Sequence, residues 1–539
     1  MTTLSGSDNR DVVPRWRSVR KTVEAKEFQT LAVPQALGPS QRAYLERAER
    51  RWQADRTVQA AVELVSTSAI AGEAGEQSIA AAEFVRANTD NPTLNTLVGG
   101  ADLPPWQIGH IGVDDSQEAK DAVTSSRIAL QRRQLRNDPR NALGWAELAR
   151  WYTVFGQFEQ AERALTVALG LAPHSRYLLR SAARFFAHIG EPERAYRLLT
   201  RSPRTDGDPW LTAALLSVAS IGRLPIRSLR PARRICEDEN FAPLERSELV
   251  SEVATLDLRS GADRKARSQF RSSLETPTDN SLAQAEWASH RIANLSVELD
   301  EFAVPFADEA QARSAAQRGQ WSDAMNHSLA WLGDQPFDTR AAVLGSYVAT
   351  IGLEDFSTAI AMAKLGLRSR PGDPGLSNNL AFALLQTDQV SEAAEVLQSV
   401  ERAGLDLHGR ATIAATAGLL AYKIGEPATG RRYYEAAIRL SRRLATSEEH
   451  TIARAMYVLA EMEYGGGLVD DAEVREVTRL AETSSHLGAK ACVDRMVRVV
   501  ANPTSLGEVT ISATPTLLPA FDDLIVDVEG AGQIEAPHK

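Results

Sequence analysis

One stretch of the chain constrains its fold more than any other: Asn141–Pro173, NALGWAELARWYTVFGQFEQAERALTVALGLAP. Trp145, Leu148 and Tyr152 recur at helical spacing, and Gly156 then marks a turn. A second helical stripe follows through Phe158, Ala161, Leu165 and Ala168. It ends at Pro173, which cannot continue a helix. Small residues on the facing sides let the two helices approach closely, and glycine has the backbone freedom a tight link demands. Such a unit buries its apolar face by stacking on further copies of itself, so the next question is whether it recurs.

It does. Phe186, Gly190 and Ala195 follow Tyr152, Gly156 and Ala161 at a step of 34 residues. Upstream, Gly75, Ala80, Phe84, Ala87 and Pro92 keep the same internal spacing, although the preceding helix is degenerate. Downstream, Gly261, Ala266 and Phe270 fit, as do Gly319, Ala324 and Pro336. Ala359 and Pro371 preserve the alanine-to-proline step, with Gly352 displaced by two residues. Leu380, Ala381, Ala393 and Leu397 form another unit; Gly418, Gly425, Tyr434 and Ala437 the next; Leu459, Ala460, Gly467 and Ala472 the last. About nine units emerge over Ala61–Ser484.

The best unit resembles a tetratricopeptide repeat (TPR), with that family's tryptophan, leucine, tyrosine, glycine, alanine and proline positions filled and Ala149 where glycine is usual. The resemblance implies an all-α, right-handed superhelical solenoid whose concave face is lined by the first helix of each pair. It also implies protein binding, since such a groove receives an extended peptide or a partner's helix. On this basis Arg150, Tyr177, Arg180, Arg184 and His188 are candidate groove residues, a basic lining with an aromatic within it. Arginine offers planar, bidentate recognition of carboxylate or phosphate. In the later repeats Asn378, Asn379, Phe382, Leu419, Tyr422 and Lys423 are the candidates. In related repeats an asparagine at the place of Asn379 holds a ligand's main chain, one amide supplying both donor and acceptor. The family's carboxylate clamp is not expected, because Arg150 and Ala146 stand at its asparagine and lysine places.

Between the repeats the pattern breaks. Residues 1–37 read as a flexible N-terminal segment, 38–280 as a first array with an irregular insertion at about 95–117, and 281–502 as a second array. The insertion contains Pro104, Pro105 and clustered glycines. The stretch 203–243 is interrupted by Pro225 and Pro231, and a kink is expected there. His486–Val500 reads as a helix capping the last apolar face. Residues 503–539, with six acids and one lysine, read as an acidic flexible tail.

Charge is segregated along the chain. Residues 127–234 carry 19 arginines, no lysine and 8 acids, within a chain of formal net charge −10. This block calls for an anionic partner or for an electrostatic seam within the protein, including self-association. One expectation is that the tail segment around Asp522, Asp523, Asp527 and Glu529 docks there.

No motif of catalysis survives inspection. The phosphate loop, HExxH, CxxC and GxSxG patterns are absent, and no pair among the nine histidines has metal-ligand spacing with a further ligand nearby. No cofactor, no metal and no enzymatic activity are expected. Two cysteines, Cys236 and Cys492, suit a reducing compartment, and no signal peptide or membrane-spanning stretch is visible. The leading reading is therefore a cytoplasmic, non-catalytic scaffold or adaptor that recruits proteins or peptides, in a bacterial multi-subunit assembly. Second comes a nucleic-acid-associated subunit using the arginine block, and third a peptide-responsive regulator.

Overall fold

The computed structural model describes residues 10, 12–19, 39–71, 76–88, 128–226, 228–401, 405–444, 448–466 and 469–501. The expected insertion at 95–117, the tail at 503–539 and most of the 1–37 leader lie outside these residues. The chain separates into two compact units. The first holds Asn9–Gln311 and Ala330–Phe337, and the second holds Ala312–Leu329 and the chain from Asp338 onward. The sequence placed this boundary at 280/281. It falls later because Asp279–Ser289 and Leu299–Glu301 pack into the first unit, burying Leu282, Ala283 and Leu299 together.

Among the described residues all regular structure is helical. The first unit begins with α1 (Pro39–Ala54), α2 (Val58–Ala71) and α3 (Glu76–Asn88), followed by a helical stretch over 128–137. Its central repeats are α4 (Ala142–Val154) with α5 (Phe158–Leu171), α6 (Arg176–His188) with α7 (Pro192–Arg201), and α8 (Pro209–Ile221) with α9 (Leu229–Glu237). Then come α10 (Pro243–Arg259), α11 (Asp263–Ser273) and α12 (Asp279–Ser289), followed by α13 (Asp308–Gln317) and α14 (Trp321–Asp334), of which only 308–311 and 330–334 belong to the first unit and the rest to the second. The second unit adds α15 (Thr339–Tyr347), α16 (Phe356–Ser369), α17 (Pro374–Gln386), α18 (Val390–Gln398), α19 (Leu407–Lys423), α20 (Pro427–Ser441), α21 (Glu448–Tyr464), α22 (Asp471–Thr483) and α23 (Leu487–Ala501). The helix expected at His486–Val500 is α23, which packs on α21 and buries Cys492, Val493 and Met496.

Local chemistry sets the helix ends. Asn141, Ser175, Asp373 and Asp406 each stand before a first helix, and the side chain of each accepts from a backbone N–H in the opening turn. Asp208 does the same for α8 and also binds Arg176 at 2.7 Å and Arg204 at 3.1 Å, which ties that region of the fold together. The link between the two helices of a pair requires one left-handed residue, five positions before the small residue of the second helix. Gly156, Gly190, Gly261, Gly319 and Gly425 fill it with φ between 67° and 85°. Before Ala359 and Ala393 the position is held by Glu354 (φ 53°) and Asp388 (φ 59°), while the α8–α9 and α21–α22 links carry Arg223 (φ 51°) and Gly466 (φ 92°). The sequence reading put the turn before Ala359 on Gly352. Register is instead kept by Glu354, and Gly352 ends a π-helical turn where a Cβ would come within 2.4 Å of the Trp321 ring.

Burial is asymmetric within each pair. The second helices α5, α7, α9 and α11 bury only a stripe of two to four residues. The first helices are enclosed on nearly every side; in α6 every residue except Ala187 is buried. A first helix lining an open groove would keep one face in water. In the first unit that face is covered.

Candidate peptide-binding groove

The covering element is the chain's own N-terminal segment. The sequence assigned 1–37 to a flexible leader, yet residues 10 and 12–19 lie against the first helices, and Trp16 is fully buried. The segment Val12-Val13-Pro14 is locally disposed to this. Two β-branched residues and a proline, which pushes its predecessor into the β region, favour an extended backbone. Residues 12–18 accordingly form no helix, turn or bend.

The strap is read along its main chain. Gln284 Nε2 donates to Arg10 O at 3.0 Å, and Asn280 Nδ2 donates to Val13 O at 3.0 Å. These amides sit four residues apart on α12 and so share a face. Val12 N–H donates to Glu252 of α10 at 3.3 Å, and the Tyr177 hydroxyl of α6 donates to Arg17 O at 2.7 Å. Burial pushes the Tyr177 phenol well above its usual pKa, so it is a hydroxyl donor throughout the physiological range.

The strap's three described arginines are read by three carboxylates. Arg10 grips Glu309 of α13 through Nε at 2.8 Å and Nη2 at 2.9 Å, the bidentate geometry that guanidinium favours. Arg15 reaches Asp279 at 2.8 Å and Glu309 at 2.5 Å. Arg17 reaches Asp279 and Asp334, each at 2.6 Å, and lies over the Phe306 ring. Trp16 points between Phe185 and Phe337, with ring centroids 6.4 and 5.4 Å away. All of these ion pairs are at most 4% exposed on either side. Water is excluded, so each charge depends on its partner.

The residues expected from sequence to line the grooves take mixed positions. Tyr177 touches the strap directly. Arg150 pairs with Glu147 on its own helix at 2.6 Å and lies over Trp151. Burial pulls the Arg150 pKa down, but Glu147 more than offsets this and leaves it raised. Arg180 pairs with Glu248 of α10 at 3.0 Å and stacks over Trp210. Arg184 covers Phe337, and His188 packs between Phe158 and Phe337. Arg150 and Arg180 are thus neutralised within the fold, and the charged side chains that bond to the strap are the carboxylates of Glu252, Asp279, Glu309 and Asp334, with Arg259 donating to Arg10 O at 3.5 Å. Other members of the arginine block are also paired: Arg176 and Arg204 with Asp208, Arg194 with Glu162 and Glu191, Arg233 with Asp257. For these residues the block is an internal seam.

In the second unit, Asn378 accepts from Thr416 at 2.8 Å and Asn379 donates to Ser346 at 3.0 Å. The main-chain reading expected of Asn379 falls in the first unit to Asn280 and Gln284, which the sequence did not single out. Phe382 lines a small cavity of about 30 Å³ with Thr416, Tyr434, Glu449 and Met456. That is far below the several hundred Å³ of a small-molecule site. Leu419 is buried, Tyr422 donates to Glu461, and Lys423 pairs with Asp388 at 2.5 Å beside Tyr464. Among the described residues no group of three or more His, Cys, Asp or Glu side chains is placed to hold a metal ion, and no helix is long and apolar enough to cross a membrane.

These features define an all-α repeat of helix pairs whose first unit seats an N-terminal segment on its first helices. No protein-family model matches the chain, and no curated protein matches it. Among solved structures it is similar to the Cut9–Hcn1 hetero-tetramer of APC/C, with 12% identity over 96% of this chain and 93% of that one, at a TM-score of 0.39. It is also similar to the TPR domain of P58(IPK), with 11% identity over 73% and 99% and a TM-score of 0.20. A third is Naa15/Naa10 bound to HypK-THB, with 12% identity over 92% and 97% and a TM-score of 0.23.

Proposed function

We propose that this protein is a non-catalytic scaffold that recruits partner proteins by holding an extended segment of the partner on the first helices of its N-terminal unit. The observation that carries the reading is main-chain recognition. Gln284, Asn280, Glu252 and Tyr177 bond to backbone atoms of a non-helical segment, the interactions a groove needs to hold peptide of any origin. The setting, a bacterial cytoplasmic assembly, belongs to the same proposal; it is motivated by the preponderance of arginine over lysine and by two cysteines that are both free.

The test is affinity purification of the tagged full chain from its native cell, in nuclease-treated and untreated halves, beside the variant Gln284→Lys. Stoichiometric proteins that survive nuclease and are lost with the variant support the reading. Proteins that vanish with nuclease, or recovery of nucleic acid alone, overturn it in favour of the arginine block.

A further inference from the structure

The strap is a peptide ligand that the chain carries for its own groove, and its pattern describes what else the groove accepts. We infer that residues 10–17, Arg-x-x-x-Pro-Arg-Trp-Arg, act as a resident, displaceable occupant. The groove is then a binding site for extended basic segments in which an arginine pair brackets an aromatic. This rests on the scaffold reading above and adds the chemistry of the partner and the means by which access is controlled.

Three observations support it. First, specificity is distributed over both backbone and side chains. The amides of α12 fix the strand's position, while Asp279, Glu309 and Asp334 select guanidinium at three places along it. Asp279 lies between Arg15 and Arg17 and accepts from both, so it requires arginines on either side of the intervening residue. Second, that residue fills an aromatic slot between Phe185 and Phe337, which a smaller side chain would leave void. Third, the groove without its occupant is net acidic: Glu252, Asp279, Glu309 and Asp334 would share a surface with no cation from the strap, against the one guanidinium of Arg259, which donates to Arg10 O at 3.5 Å. Like charges this close repel, so the vacated groove attracts a cationic segment and rejects an acidic one.

Tethering sets the threshold for entry. The strap is covalently part of the chain, and a tethered segment competes at an effective concentration on the order of millimolar. A free peptide that binds the vacant groove in the micromolar range therefore binds the intact chain roughly 100-fold or more weakly. Partners of the right pattern enter only when locally concentrated or multivalent, or when the strap is drawn away.

The experiment uses the full chain. A fluorescent peptide of residues 8–20 is titrated against the wild type, against the strap variant Arg15→Glu/Trp16→Ala/Arg17→Glu, and against that variant carrying Asp279→Asn and Glu309→Gln in addition. Expected is weak binding to the wild type, binding at least 100-fold tighter to the strap variant, and loss of that gain when the groove carboxylates are neutralised. A strap variant that keeps its helical circular dichroism and binds no better than wild type overturns the inference. Should the variant fail to fold, hydrogen exchange on the wild type decides. If strap amides open at denaturant concentrations that leave α4–α8 protected, the occupant is displaceable; if they exchange only with global unfolding, it is fixed core and the inference falls. Binding by the strap variant of uncharged extended peptides, but not of this one, would leave the scaffold reading intact and remove the arginine pattern.

Discussion

Replacing Asp279 by asparagine keeps shape and removes one charge from the centre of the strap. Asp279 accepts from Arg15 Nε at 2.8 Å and from Arg17 Nη1 and Nη2 at 3.2 and 2.6 Å. Asparagine keeps one acceptor oxygen: it can retain, weakened, the two bonds made to Oδ2, but it loses the one to Oδ1, where its amide N–H groups would face the Arg17 Nη1 donor. With bonds to a charged partner contributing about 1.5–3 kcal/mol each, the cost comes to about 3 kcal/mol. That agrees with the cost of about 3–5 kcal/mol for removing one member of a buried ion pair. Unlike a core residue, the strap can escape this cost by leaving the groove and rehydrating its arginines. The expected result is therefore a local opening constant raised on the order of 100-fold, with little change in the helices themselves. Hydrogen exchange of the amides of residues 12–18, set beside those of α4 and α6, is the assay. If strap protection is unchanged while the global denaturation midpoint drops, Asp279 serves helix α12 and not the strap, and the electrostatic account of the groove is wrong.

Three further outcomes are expected. Arg223 is exposed and sits in the left-handed region at φ 51°, so Arg223→Gly should raise stability by about 0.5–1 kcal/mol, read as a higher urea midpoint. Gly430 lets α20 approach α19, and a Cβ there would meet the Tyr422 ring at 2.5 Å and Gly418 O at 3.1 Å; Gly430→Ala should cost about 1–3 kcal/mol in the same assay. Burial by itself would raise the Asp208 carboxyl, but Arg176 and Arg204 hold it below the ordinary carboxylate range. A pKa lower in the folded than in the unfolded state gives stabilisation that is present above the ordinary range and lost as pH falls below it. The stability gap between wild type and Asp208→Asn should accordingly hold above about pH 5 and narrow as pH falls below it, and a gap that stays constant would refute this assignment.

How far the sequence could be read depended on how local each signal is. The turn glycines were legible because one left-handed residue per pair is a backbone requirement that glycine meets most cheaply. Gly156, Gly190, Gly261, Gly319 and Gly425 all take positive φ. The same rule misled at Gly352, because acidic Glu354 and Asp388 occupy the left-handed position in their repeats without a compositional mark. Arg180 was rightly placed on a first helix, but its partner Glu248 lies 68 residues away, so its neutralisation was invisible. The strap was missed for the same reason. Pro14 and a basic, aromatic run were visible, but nothing local distinguishes a docked extended segment from a free one.

The sequence by itself therefore determined the helix pairs, their spacing, their turns and the all-α repeat class. These follow from short-range periodicity and from backbone conformations set within a few residues. Tertiary structure alone decided which face is closed, what closes it and which charges face it. Those outcomes depend on Arg10, Arg15 and Arg17 meeting Glu309, Asp279 and Asp334 across 262 to 317 positions of chain. Pairing at that separation depends on stacking of the intervening repeats, which brings α12, α13 and the end of α14 alongside α6. Once water is excluded there, each buried guanidinium must find its carboxylate, and that requirement gives the groove its specificity.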